Sequence, residues 1–210
     1  MLNQPEITAK VNGLNATFLE PAAGEGVFLV ELLKCRIKVA AKQSKTTAQF
    51  NENVLVGLST LYGIEYMADN VKMLVMNMIL TFDEGHLKVI DQKFHAKPNK
   101  KIKQSAEVII NANMVQGDTL KQINLSGEPI IFSEWKMLPG HVDKVQRVEY
   151  TFESIINGGD SNDTVTGYQK NKSEQLDLFA LDADNEEQED EQPTHYVPVK
   201  WTDIYKQLVE

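Results

Sequence analysis

The chain has 210 residues, 42% of them hydrophobic, and a formal net charge of -9. That is enough to bury one substantial core, and no apolar run reaches the roughly 18 to 20 residues a membrane span needs. The opening Met1-Leu-Asn-Gln-Pro-Glu6 lacks the basic-then-apolar pattern of a secretory signal, so a cytoplasmic protein is expected.

The charge is unevenly divided. Residues 1–157 hold 17 Lys and Arg against 17 Asp and Glu, while residues 158–210 hold 4 against 13. The body is neutral and the tail carries the surplus, so overall acidity says little about what the body binds. Cys35 is the one cysteine; it excludes an intrachain disulfide and reads as a buried thiol on a helix.

In chain order, Thr17 to Glu20 reads as a short strand and Gly26 to Ala41 as a helix, with Phe28, Leu32, Cys35 and Val39 at helical spacing. Leu61 to Tyr66 reads as a second strand. Asp69-Asn70 stands where a following helix, running through Phe82, would be capped. Residues 83–112 read as a helical, Lys-rich insertion. Asn113 to Asp118 reads as a third strand ending in a turn, Pro129 to Phe132 as a fourth, and Lys144 to Phe152 as a fifth. This alternation predicts an α/β domain over residues 1–156, with a mostly parallel sheet covered on both faces. Ligands of such sheets bind beyond the carboxyl ends of the strands.

Residues 157–195 are turn-rich and then acidic, Asp182 to Glu191 being the densest run, and the composition predicts a disordered linker. In residues 196–210, Trp201, Ile204, Tyr205 and Leu208 recur at helical spacing, an amphipathic segment suited to docking on the body or on a partner.

The most informative segment is Phe18-Leu-Glu-Pro-Ala-Ala-Gly-Glu-Gly-Val-Phe28. Glycines at alternate positions let the backbone pass close to a ligand, and the helix behind them offers free amides. Glu65 ends the second strand, where a carboxylate can accept both hydroxyls of a ribose, and Gly117-Asp118 ends the third. Glu20-Pro-Ala-Ala-Gly24-Glu-Gly26-Val-Phe28 resembles the first motif of class I S-adenosylmethionine-dependent methyltransferases, most closely the Asp/Glu-Pro-x-x-Gly-x-Gly-x-Phe form of DNA adenine N6-methyltransferases. The resemblance covers residues 17 to about 156. It implies a class I methyltransferase-like (Rossmann-like) fold. It also implies S-adenosyl-L-methionine as cofactor, held by Glu20, Pro21, Gly24, Gly26, Phe28, Glu65 and Asp118, with Tyr66 and Met67 against the adenine ring.

That family carries Asn/Asp-Pro-Pro-Tyr/Phe after its fourth strand, to hold the target amine and stack the flipped base. No such motif occurs here. At the corresponding place stand Glu134, a possible acceptor for an exocyclic amine, and Trp135, a possible stacking surface; the alternative is a solvated carboxylate beside a packing tryptophan. Lys88, Lys93, Lys97, Lys100, Lys101 and Lys103, with His86, Phe94 and His95, form the most basic stretch, readable as a DNA contact or as a solvated helix face. The two histidines lack the neighbours of a metal site.

Gln175-Leu176-Asp177-Leu178-Phe179 resembles the pentapeptide by which replication and repair proteins bind the bacterial sliding clamp. A flexible segment of that kind lays its apolar side chains into a preformed groove; the alternative is a local helix packing Leu176, Phe179 and Leu181 on the body. Two functions are therefore expected as alternatives. One is a DNA adenine methyltransferase-like protein of a phage or bacterial restriction-modification setting. The other is a non-catalytic protein of that fold that reaches the sliding clamp through its tail.

Overall fold

The computed structural model describes residues 9–156 and 195–209. Three short strands form a parallel sheet in the order β1-β2-β3: β1 is Phe18–Glu20, β2 Leu61–Glu65 and β3 Met114–Gln116. Phe18 pairs with Leu61, and Gly63 with Met114. Parallel neighbours need long crossovers. Helices α1 (Val27–Gln43) and α2 (Thr47–Ser59) make the first, and α3 (Ala68–Gln92) and α4 (Lys100–Asn113) the second.

Side chains of a strand alternate between faces, and here the two faces belong to different cores. Leu61 and Met114 share the main core with Leu29, Leu32, Leu74 and Ile109 of the helices. Ile64 and Val115 share a smaller one with Ile130, Phe132 and Phe152. The helices thus cover one face, and the other is covered by strands, not by the second layer of helices that the alternation predicts.

Those covering strands depart most from expectation. β4 (Ile131–Leu138) and β5 (His141–Thr151) are an antiparallel hairpin in a separate sheet, not fourth and fifth members of the parallel one. The reason is local. Only Pro139-Gly140 separates them, Gly140 takes φ 78°, and a two-residue connection can only reverse the chain. Phe152–Ile156 follows as the short helix α5.

The expected insertion over residues 83–112 is also corrected. α3 runs on to Gln92 because its buried stripe Val71, Leu74, Met78, Phe82 continues through His86 and Ile90. α4 then buries Ile102, Ala106, Ile109 and Ile110 in the main core. Both are crossover elements of the sheet. Helix α2 lies in a stretch to which the periodicity assigned no element; the Thr46 side chain accepts from the Gln49 amide at 3.2 Å to begin it.

The C-terminal segment docks on the body. Val199–Lys200 (β6) pairs antiparallel with β5, and Trp201–Lys206 form a 3-10 turn in place of the expected α-helical face. Trp201 and Ile204 enter the main core while Leu208 stays exposed. Arg36, fully buried, pins the N-terminal segment by donating to the carbonyls of Val11 and Ala16; burial draws its pKa down to about 10, against a smaller opposing effect of Cys35. Cys35 itself is half-buried and unpaired. No helix among the described residues is long and apolar enough to cross a membrane.

Candidate functional site

Because the three strands are parallel, Glu20, Glu65 and Gln116 all end on one edge of the sheet. The loop after β1 folds back over that edge, and the Ala23 N–H donates to the Ile64 carbonyl at 2.9 Å. Gly24 and Gly26 take φ 55° and 87°, conformations open to glycine and strained for other residues. At Gly26 a Cβ would also stand 2.4 Å from Leu74 Cδ1 of α3, whereas the space around Gly24 is open. One glycine seats the loop on α3, and the other leaves it uncovered.

Behind the loop, α1 starts at Gly26 with no side-chain cap and no acidic residue in its first turn, and Val27 is 75% exposed. Its leading N–H groups have no partner within the helix and form a partial positive charge on the carboxyl edge.

Glu65 faces this loop. Its carboxylate accepts from the backbone N–H of Gly24 at 2.9 Å and of Met67 at 2.8 Å, and from the Asn70 side chain at 3.4 Å. Burial pulls its pKa up, but these donors together outweigh burial and hold the carboxyl below its usual range, so it is charged near neutrality. Tyr66 and Met67, each 58% exposed, present adjacent large apolar surfaces just beyond it.

Glu20 bends back on its own loop, accepting from the Ala22 N–H at 3.4 Å. Pro21 is exposed, and Phe28 on α1 is half-buried against the main core. Asp118 serves the turn after β3. It accepts from the backbone N–H of Lys121 at 3.1 Å and of Leu120 at 3.0 Å, with Lys121 Nζ 3.5 Å away, and these hold its pKa low. Gly117 before it has no room for a side chain, since a Cβ would lie 2.5 Å from Ile130 Cδ1.

The edge therefore brings together Glu20, Pro21, Gly24, Gly26, Glu65, Tyr66 and Asp118, while Phe28 packs against the main core. Two residues that the sequence did not single out complete it. Asn77 of α3 donates to the Glu25 carbonyl at 2.9 Å, and Thr119 donates to the Pro21 carbonyl at 2.6 Å. Both act by tertiary contact, for which the sequence offers no local signal.

Glu134 and Trp135 lie elsewhere. Trp135 is 9% exposed and its indole N–H donates to Asn113 Oδ1 at 3.3 Å; Asn113 in turn donates to the carbonyls of Ser59 and Leu61. These groups mark the entry of β2, and Glu65 its exit, roughly 13 Å along the strand at the usual rise per residue. Trp135 is a core residue, which fits the packing alternative and not a stacking surface at the target-base position. Glu134 is exposed, 3.4 Å from Lys136, on the rim of a cavity of about 410 Å³. Thr17, Leu19, Tyr62, Phe132 and Tyr150 contribute to that cavity's walls, beside the open edge of β1.

Much of the basic stretch is engaged in the fold. Lys93 donates to the carbonyls of Ala41 and Ser44 and lies over Phe94, Lys103 pairs with Asp83, and Lys101 lies 3.7 Å from Asp203. His86 is buried. Lys88, Lys97 and Lys100 have no ion pair among the described residues. The clamp-type segment Gln175, Leu176, Asp177, Leu178, Phe179 lies outside the described residues.

Compared with known proteins, the chain matches no family model, no curated protein and no solved structure.

Proposed function

We propose that this chain binds S-adenosylmethionine on the carboxyl edge of its parallel sheet and is a methyltransferase-like protein of the DNA adenine N6 type. The observation that supports this best is the facing of the Gly24-Glu-Gly26 loop and the Glu65 carboxylate across that edge. The first-turn amides of α1 suit the carboxylate of the cofactor's methionine part, Glu65 suits the ribose hydroxyls, and Tyr66 with Met67 suits the adenine. The order β1-β2-β3 fits one βαβαβ half of a Rossmann-like sheet, the half that bears such a loop.

Calorimetric titration with S-adenosylmethionine tests the assignment. Micromolar binding by the wild type that is lost in Glu65→Ala is expected; absence of binding by the wild type would overturn it.

A second reading is favoured by the separation of Glu134 and Trp135 from this edge: a cofactor-binding protein without methyl transfer of its own, brought to DNA by Gln175-Leu-Asp-Leu-Phe179 on the sliding clamp. Tritiated methyl transfer to mixed-sequence DNA separates the two, since transfer by the isolated chain excludes the second. A peptide of residues 172–182 that binds clamp, and loses binding on Phe179→Ala, supports the second.

A further inference from the structure

We infer that Asn77 and Thr119 are positioning residues that set the glycine loop in its ligand-receiving form, an inference that rests on the cofactor reading above. Two carbonyls of the loop between β1 and α1, those of Pro21 and Glu25, accept from side chains outside it. Each is taken by a side chain from a different element: Thr119, in the turn after β3, holds Pro21 at 2.6 Å, and Asn77, on α3, holds Glu25 at 2.9 Å.

The consequence is electrostatic as well as mechanical. A peptide unit held by its carbonyl has its N–H aimed the other way. Holding Pro21 from one flank and Glu25 from the other orients the peptide units on either side of Ala22 to Gly24. Gly24, free of neighbours at its Cβ position, lies between the two ties. Between the ties the Ala23 and Gly24 N–H groups are already given to Ile64 and Glu65, so what the ties set is the path of the loop into α1, whose first-turn amides suit an anionic ligand group and disfavour a cation.

The arrangement also separates two parts of the site. Glu65 is held by Met67 and Asn70 on its own side of the edge, and of its donors only the Gly24 N–H comes from the loop that Asn77 and Thr119 tie. Loss of either tie should therefore loosen what the loop holds and spare what Glu65 holds. A purely structural role would weaken both together.

Thr119→Val and Asn77→Asp keep the shape and remove the donor; Thr119→Ser restores the hydroxyl. In each of the first two variants the affinity for S-adenosylhomocysteine should fall about tenfold, that for adenosine should change less than twofold, and Thr119→Ser should bind as wild type. Equal binding of S-adenosylhomocysteine by the variants, or parallel loss of adenosine, would overturn the inference. Amide hydrogen exchange of the ligand-free protein supplies a reading that needs no cofactor. Exchange at Gly24 to Phe28 should quicken in both variants while the β2 amides keep their protection, and unchanged loop exchange would overturn the inference too. Failure of the wild type to bind either adenosyl compound would instead count against the cofactor reading alone.

Discussion

Gly24 and Glu65 are joined across the carboxyl edge by a hydrogen bond of 2.9 Å from backbone N–H to carboxylate, although 41 residues separate them in the chain. The glycine loop is thus fastened to the second strand by a group that the proposed ligand would also use. Glu65→Gln keeps the shape but puts a neutral amide against two N–H donors. It should cost about 1 to 2 kcal/mol in urea unfolding at pH 7, the difference between charged and neutral acceptors. The sign in pH follows from the depressed pKa. The carboxylate's contribution is complete above its ordinary value of 4.5 and is lost as pH falls through the lower folded value. Wild type and Glu65→Gln should therefore converge in stability in strong acid; a gap that stays constant down to pH 2 would refute the anchoring role.

His86 supplies a second pH dependence. It is 4% exposed, stacked between Phe50 and Phe82 at 5.5 and 5.7 Å, and 2.8 Å from Asn51 Oδ1. Burial lowers its pKa from 6.5 to about 4, with Asp83 opposing weakly. The unfolded chain then binds a proton that the folded one refuses. Stability is full above pH 6.5 and declines toward pH 4, by at most about 3 kcal/mol. His86→Gln retains a donor for Asn51 and does not titrate. The variant should be less stable at pH 7, and its deficit should shrink as pH falls from 6.5 to 4.5.

Asn113 joins the two sheets. Its amide donates to the carbonyls of Ser59 and Leu61 and its oxygen accepts the Trp135 indole, all buried. Asn113→Ala leaves two carbonyls and one N–H without partners, and a loss of about 2 to 4 kcal/mol is expected from such deletions. If Trp135 instead served at a ligand site, Asn113→Ala would alter binding with little effect on unfolding.

The glycine loop and the β1, β2 and β3 strand ends were legible because their signals are local: glycine spacing, a proline and a carboxylate at the end of an apolar run. What was misread depended on context. His86 reads as polar and so broke the apolar stripe of α3 at Phe82, yet flanked by two phenyl rings it fills an apolar position. Alternating order predicts a mostly parallel sheet, whereas Pro139-Gly140 between the fourth and fifth strands signals reversal. Helix α2 begins with Thr46 and Gln49, a capping pair present in the sequence, but Gly57, Ser59 and Thr60 obscure its far end. Asn77 and Thr119 had no local signal at all, since each acts on a carbonyl 52 or 98 residues away.

Trp201 tests how firmly the C-terminal segment belongs to the body. It is 1% exposed in the main core, and its indole N–H is buried with no acceptor among the described residues. Two opposing effects follow. Truncation to alanine removes a large apolar side chain and leaves a cavity, which costs about 3 to 5 kcal/mol. Replacement by phenylalanine leaves a smaller void but also removes an N–H that gave up water on folding, a gain of about 1 to 3 kcal/mol against the lost area. Trp201→Phe should thus fall within about 1 kcal/mol of wild type while Trp201→Ala approaches the whole stability of a modest domain. In Trp201→Ala the pairing of Val199–Lys200 with β5 should also loosen, visible as faster amide exchange at Val145. Equal losses for the two variants would mean that the indole N–H has a partner in solution, and unchanged exchange at Val145 would mean that β6 holds without its tryptophan.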